Sequence, residues 1–274
     1  TRKIHSLSII FRTNTNIEIW DQNKKRIFEK PKIEYALRCL NSLIKSIKKV
    51  KEQKPDTLIK FQVIDDNSND ESLKKLKDLI NSNSMDCEII HHNNSEHKEK
   101  IAAENNQETF GNLSSLLKCF EIAKKEQSDL IYFVEDDYLH YDHSLVDMLD
   151  TYERISSQHK DEIIVCPSDY PFNYMTNEKT NILIGSKQHW RIITKMLCTF
   201  MISKKMFQKH INNFEKTCEK RHDPFEKYLN EVLQKEIAIS PIKSLAIHLT
   251  NVNSSYGLSP FIDYKKLWDE NKVK

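Results

Sequence analysis

Apolar and polar positions along the first half of the chain switch between two periods. Residues 6–11 form a compact β-type run. After a polar stretch over 12–32, Tyr35, Ala36, Leu37, Leu40, Leu43, Ile44 and Ile47 recur every three or four positions, the stripe of a helix laid on a core. Residues 58–64 predict a second strand that stops at Asp65-Asp66-Asn67-Ser68. A short helix over 72–80, a third strand over 87–90 and an amphipathic helix over 113–123 follow. The fourth strand, 130–134, runs straight into Glu135-Asp136-Asp137. Strand, helix, strand in this order is a right-handed crossover unit. Its repetition through residue 140 predicts an α/β fold with a Rossmann-like, mostly parallel central sheet and helices on both faces.

The second half is less regular. It reads as a helix over 144–155, a strand over 163–166, a long polar-aromatic loop over 167–190, and a strand over 197–202. A helix over 224–234 and a short strand ending at His248 come next. Residues 249–274 show little apolar periodicity and are expected to form a lid or an arm.

Composition narrows the class. The chain has 274 residues, and its 42 basic and 40 acidic side chains leave a net charge of +2, so no nucleic-acid partner is expected. Six scattered cysteines, with no Cys-x-x-Cys pair, argue for a reducing compartment and against a disulfide frame or structural zinc. No stretch approaches the roughly 20 apolar residues of a membrane span, and Thr1-Arg2-Lys3-Ile4-His5 does not read as a signal peptide. The expected location is the cytoplasm, with peripheral association at the inner face of a membrane left open.

Three acidic corners carry the candidate chemistry. A carboxylate beside a core loses solvation worth several kcal/mol unless a cation meets it. Glu135-Asp136-Asp137 at the end of an apolar strand therefore predicts a divalent metal, at the strand end where open α/β sheets bind ligands. Asp65 and Asp66 close the second strand. They read equally as a ligand site and as a polar turn capping the helix that follows. Asp223 precedes Pro224 at the head of a predicted helix, a locally favoured N-cap pairing that keeps the carboxylate ionised. His248 ends a short strand, and reads as a core histidine or a ligand.

Read in order, Ser8-Ile9-Ile10-Phe11, Val63-Ile64-Asp65-Asp66-Asn67-Ser68, Gly111-Asn112 opening a helix, and Phe133-Val134-Glu135-Asp136-Asp137 resemble the successive signatures of family 2 glycosyltransferases with the GT-A fold. Arg221-His222-Asp223-Pro224 resembles the family's acidic motif, with His222 where a Glu is usual. The resemblance implies a metal-dependent, inverting transfer of a sugar from a nucleotide-diphosphate donor, UDP- or GDP-linked, to a hydroxyl of a glycan or lipid-linked glycan. It implies that Arg12, Asp65, Asp66, Gly111, Asn112 and Asp136 meet the nucleotide, with Asp136 and Asp137 as the DxD motif. Asp137 and His248 would bind Mn²⁺ or Mg²⁺, and Asp223 would be the catalytic base.

On this reading residues 1–140 are the nucleotide-sugar-binding half, 141–250 the acceptor and catalytic half of the same GT-A domain, and 251–274 a C-terminal tail or lid. Asp169 and Trp190, in a loop mixing Tyr, Trp and Asn, suit the acceptor side, because sugars offer C–H faces to rings and hydroxyls to polar groups. Trp190 reads nearly as well as a packing residue. The Gln/Arg-x-x-Arg-Trp run of processive polysaccharide synthases is missing, which points to a distributive enzyme. A retaining transferase, a nucleotidyltransferase, or a carbohydrate-binding relative without turnover remain the alternatives.

Overall fold

The computed structural model describes residues 2–16, 26–101, 104, 106–250, 254–259 and 262–273. The first half runs β1 (Ser6–Thr13), α1 (Lys32–Gln53), β2 (Leu58–Asp65), α2 (Asp70–Ser82), β3 (Glu88–His91), α3 (Gln107–Lys125) and β4 (Leu130–Glu135). The second runs β5 (Tyr138–His140), α4 (Ser144–His159), β6 (Ile164–Val165), β7 (Ile182–Ile184), β8 (His189–Ile192), β9 (Phe200–Ser203), α5 (Lys204–Lys209), α6 (Ile211–Thr217), α7 (Lys227–Leu233), β10 (Ala238–Pro241), β11 (Ala246–His248) and α8 (Tyr264–Glu270).

Among the described residues nine strands form one sheet, in the order β3-β2-β1-β4-β9-β6-β10-β8-β7, and β5 pairs with β11 in a second, two-stranded sheet. The first four strands are parallel, as the crossover pattern predicts, and β9, β8 and β7 run antiparallel to their neighbours. Period-2 alternation along β1 divides its side chains between two cores. Leu7, Ile9 and Phe11 face α1, α2 and α4, whereas Ile10 joins Ile131 and Phe133 against α3, α5, α6 and α7. Helices on both faces explain why β1 and β4 are apolar almost throughout. This is the mostly parallel, helix-flanked α/β sheet expected.

Four expectations need correction. The loop over 167–190 contains β7 and the start of β8, strands too short and too near the sheet edge to show alternation. The helix expected from Pro224 starts at Lys227, with Glu226 rather than Asp223 in the N-cap position. Gly111 and Asn112 do not open a helix, because α3 begins at Gln107. In the tail, α8 is docked rather than a free arm. Trp268 stacks on Phe28 with ring centres 4.2 Å apart, and Arg38 donates a 2.6 Å hydrogen bond to its carbonyl while lying over its ring. The rest of the lid expectation, at 251–253, 260–261 and 274, lies outside the described residues.

Candidate functional site

The strand order turns back between β1 and β4, so the carboxyl ends of these two strands open a crevice, the usual ligand position in such sheets. Asp136 sits at its floor, 7% exposed. Its Oδ1 lies 2.5 Å from Lys32 Nζ, and its Oδ2 accepts from Thr13 Oγ1 at 2.8 Å and from the Asn14 N–H at 3.2 Å. Burial opposes the charge on Lys32, but Asp136 and then Asp137 outweigh it and raise the ammonium pKa. This carboxylate clamps the end of β1 and the start of α1 to the end of β4.

Asp137 forms the turn into β5. Because β5 pairs antiparallel with β11, His248 falls opposite Tyr138 and stacks on its ring, 4.8 Å between centres. The Leu249 N–H donates to the Asp137 carbonyl at 2.8 Å, which locks the pairing. His248 Nε2 then stands 3.3 Å from Asp137 Oδ2, while Nδ1 is 2.9 Å from the Tyr256 carbonyl. Burial alone would raise the Asp137 carboxyl, yet the charge and hydrogen bond of His248, with Lys32 and Arg12, hold it well below the usual range. For His248 burial works against the imidazolium, and Asp137 overcomes it and raises the pKa.

A divalent metal fits this pair. Asp137 Oδ1 is buried without a hydrogen-bond partner, and His248 has its second nitrogen fixed by a carbonyl, the arrangement that orients metal-ligating imidazoles. Among the described residues no cluster of three or more His, Cys, Asp or Glu is arranged to hold a cation unaided. Mg²⁺ and related ions take one or two carboxylates and fill the remaining positions with water and phosphate oxygens, so two protein ligands suffice where a diphosphate binds.

Asp137 and His248 line a cleft of about 640 Å³ together with Asn112, Glu135, Asp223 and Glu226, and with Leu197, Cys198, Arg221, His222 and Phe225. Asp223 is exposed on its wall. Glu226, which the sequence reading passed over, has its pKa pushed up to about 7, first by burial and then by the negative charge of Glu135. The available signal was its spacing: carboxylates at 223 and 226 flank the same turn.

The remaining candidates lie behind or away from this cleft. Arg12 is tied to Glu135 at 2.6 Å and to the Asn112 carbonyl and side chain at 2.9 and 2.6 Å, so its guanidinium joins β1, α3 and β4. Asp66, 1% exposed, accepts from Asn14 Nδ2 and Asn67 Nδ2 at 3.2 and 3.0 Å and from the Asn94 side chain. Burial raises its pKa against the pull of those bonds. Gly111 lies in α3 beside Asp66, where a Cβ would meet Asp66 Oδ2 and Asn94 Nδ2 in ordinary contact at 3.4 Å. Asp65, also buried, lies 3.5 Å from His91, and neither it nor Asp66 caps α2, a role taken by Asn69.

The two acceptor-side candidates are elsewhere. Trp190 is fully buried in the core and Asp169 is 2% exposed, bonded to Tyr174. Neither lines the cleft. The structure thus brings together Asp137, His248, Asp223 and Asn112. It sets Asp136, Asp66 and Arg12 behind them, and packs Trp190 as a core residue.

No curated protein matches the sequence. The S. aureus TarS 1–349 crystal structure is similar in fold, with a TM-score of 0.50 at 14% identity, over 88% of this chain and 59% of that one. The chain therefore spans less than two thirds of TarS 1–349. Galactosyltransferase LgtC, solved with donor and acceptor sugar analogues, gives 0.39 at 13% identity over 83% of this chain and 69% of that one. Mycobacterium tuberculosis glucosyl-3-phosphoglycerate synthase, solved with Mn²⁺ and UDP, gives 0.40 at 8% identity over 89% and 72%. The family model for glycosyl transferase family 2 matches residues 33–211, well over half of the sequence and most of the sheet just described. The chain belongs to glycosyl transferase family 2 and has the GT-A fold.

Proposed function

We propose that the chain moves a sugar from a nucleotide-diphosphate donor, UDP- or GDP-linked, to a hydroxyl of a glycan, free or lipid-linked, with inversion at the anomeric carbon. The observation that carries this reading is the buried, unpartnered Oδ1 of Asp137, beside His248 and opening on the same cleft as Asp223. Family membership supplies the reaction class.

Asp66, with Asn14 and Asn94 holding its carboxylate, receives the base edge, and Asp136 orders the β1 end where the ribose lies. Asp137 and His248 would hold Mn²⁺ or Mg²⁺, which when bound neutralises the diphosphate and stabilises it as a leaving group. Asp223 accepts the acceptor hydroxyl proton as that oxygen bonds to the anomeric carbon from the face opposite the diphosphate. The bond to the diphosphate oxygen breaks with its electron pair. Glu226, on the same wall, meets the acceptor with a carboxyl that is half protonated near neutral pH.

A thermal-shift series with UDP and GDP, with and without Mn²⁺, tests the donor and metal site. A ligand at a hundred times its Kd adds about 2.7 kcal/mol of apparent stability. The wild type should show a metal-dependent rise that Asp137→Ala removes. Asp223→Asn should keep that rise while turnover falls on the order of 10²-fold or more. No shift with either nucleotide would overturn the reading. A product with retained configuration by NMR would overturn the role of Asp223.

A further inference from the structure

We infer that the outer face of the β7–β8 hairpin is a docking surface for anionic lipid bilayers. Five large hydrophobic side chains are exposed among the described residues, and four of them fall between positions 174 and 184: Tyr174, Met175, Ile182 and Ile184, each more than half exposed. Strand pairing gathers them. Ile182 lies across from Arg191 and Ile184 across from His189, and opposed residues of an antiparallel pair share a face. Arg191 donates to the Tyr174 hydroxyl at 2.6 Å and lies 4.3 Å over its ring, which draws Tyr174 to that side. Leu183 and Trp190 point the other way, into the core. The result is an apolar patch on the last strand of the nine-stranded sheet.

Charge selects the occupant. The exposed formal charges on this hairpin are Lys179 and Lys187 against Glu178, while Arg191 is buried and paired with Asp169 at 3.7 Å. Lys179, Lys187 and His189 are exposed around the isoleucines. Apolar side chains ringed by basic ones match a surface whose phosphates are negative and whose interior accepts hydrocarbon. A second copy of the chain would bring the same positive charge against itself. Four side chains, two of them on a three-residue edge strand, also fall short of the roughly 800 Å² per partner that stable interfaces bury. No helix among the described residues is long and apolar enough to cross a membrane, so this contact is interfacial.

The Phe172 N–H donates to the Ser255 carbonyl at 2.7 Å and its ring stacks on Tyr256, whose carbonyl orients His248. Docking of this face does not depend on the transfer reaction.

Vesicle flotation tests it, with phosphatidylcholine alone and with phosphatidylcholine mixed with phosphatidylglycerol. The wild type should float with the mixed vesicles and far less with the neutral ones. Lys179→Glu/Lys187→Glu and Ile182→Ser/Ile184→Ser should each weaken partition on the order of tenfold or more. All four positions are exposed, so circular dichroism and melting temperature should match the wild type. Absence of flotation, or flotation unchanged in both double variants, overturns the inference. So does a wild-type dimer, by sedimentation velocity, that the isoleucine variant converts to monomer.

Discussion

His248 Nε2 faces Asp137 Oδ2 across 3.3 Å, although 111 residues separate them, because β11 pairs with β5 immediately after the acidic turn. The pair raises the His248 pKa and depresses that of Asp137. A raised histidine contributes stability that is complete below its unfolded pKa, about 6.5, and is lost as pH climbs through the folded value. A depressed aspartate contributes above its unfolded pKa, about 3.9, and loses this as pH falls through the folded value. Metal-free protein should therefore gain most over His248→Gln between about pH 4 and 6.5. The difference in Tm between the two, followed across pH, should shrink above that window.

Glu226 loses stability in the same direction as pH rises, but here the substitution gains by it. Its pKa of about 7 lies above the ordinary carboxyl value because burial and Glu135 penalise the anion. The folded protein binds that proton more tightly than the unfolded chain, so its contribution is present in acid and lost as pH rises through 7. Glu226→Gln, which keeps the shape and removes the ionisation, should leave Tm nearly unchanged at about pH 4, below the unfolded carboxyl value, and raise it increasingly up to pH 8. A Tm difference independent of pH would show that the carboxyl titrates normally.

Lys32 and Asp136 form a buried pair with side chains 17% and 10% exposed. Removing one partner strands the other, which costs more than the pair is worth intact. Lys32→Met should destabilise by on the order of 3 kcal/mol in urea denaturation. Lys32→Met/Asp136→Asn should recover part of that loss. If the double variant were as unstable as the sum of the singles, the pairing would not be the cause.

The legible parts of the site are those that interrupt a strong local pattern. The strand 130–134 is apolar at every position because helices cover both its faces, so three carboxylates at its end stand out without any knowledge of the fold. Asp223 and His248 were legible only through their order along a family-like pattern, and the cleft does collect them. Lys32 was not legible. It is one lysine among many, and its meaning comes from a carboxylate 104 residues away. Trp190 failed in the reverse sense. A tryptophan in a polar loop looks exposed until β8 is seen to lie between β10 and β7, which closes over the indole. The same blindness hid the hairpin beside it, since three-residue strands leave no measurable period.

Trp190 and Gly185 make the last relationship testable. Gly185 closes the β7–β8 turn, its N–H donating to the Gln188 carbonyl at 3.0 Å. A Cβ at this position would stand 2.2 Å from Trp190 Nε1, 2.3 Å from Cδ1 and 2.9 Å from the Gln188 carbonyl oxygen. Neither the backbone nor a fully buried indole can yield cheaply, so Gly185→Ala should destabilise by about 1–3 kcal/mol, the usual cost of overpacking. Its origin can be separated from any turn effect by a double-mutant cycle with Trp190→Leu. The smaller side chain frees the space, so Gly185→Ala should cost markedly less in that background, giving a coupling above 0.5 kcal/mol, roughly the limit for independent sites. Additive losses in urea denaturation would place the strain in the turn backbone instead of against the indole.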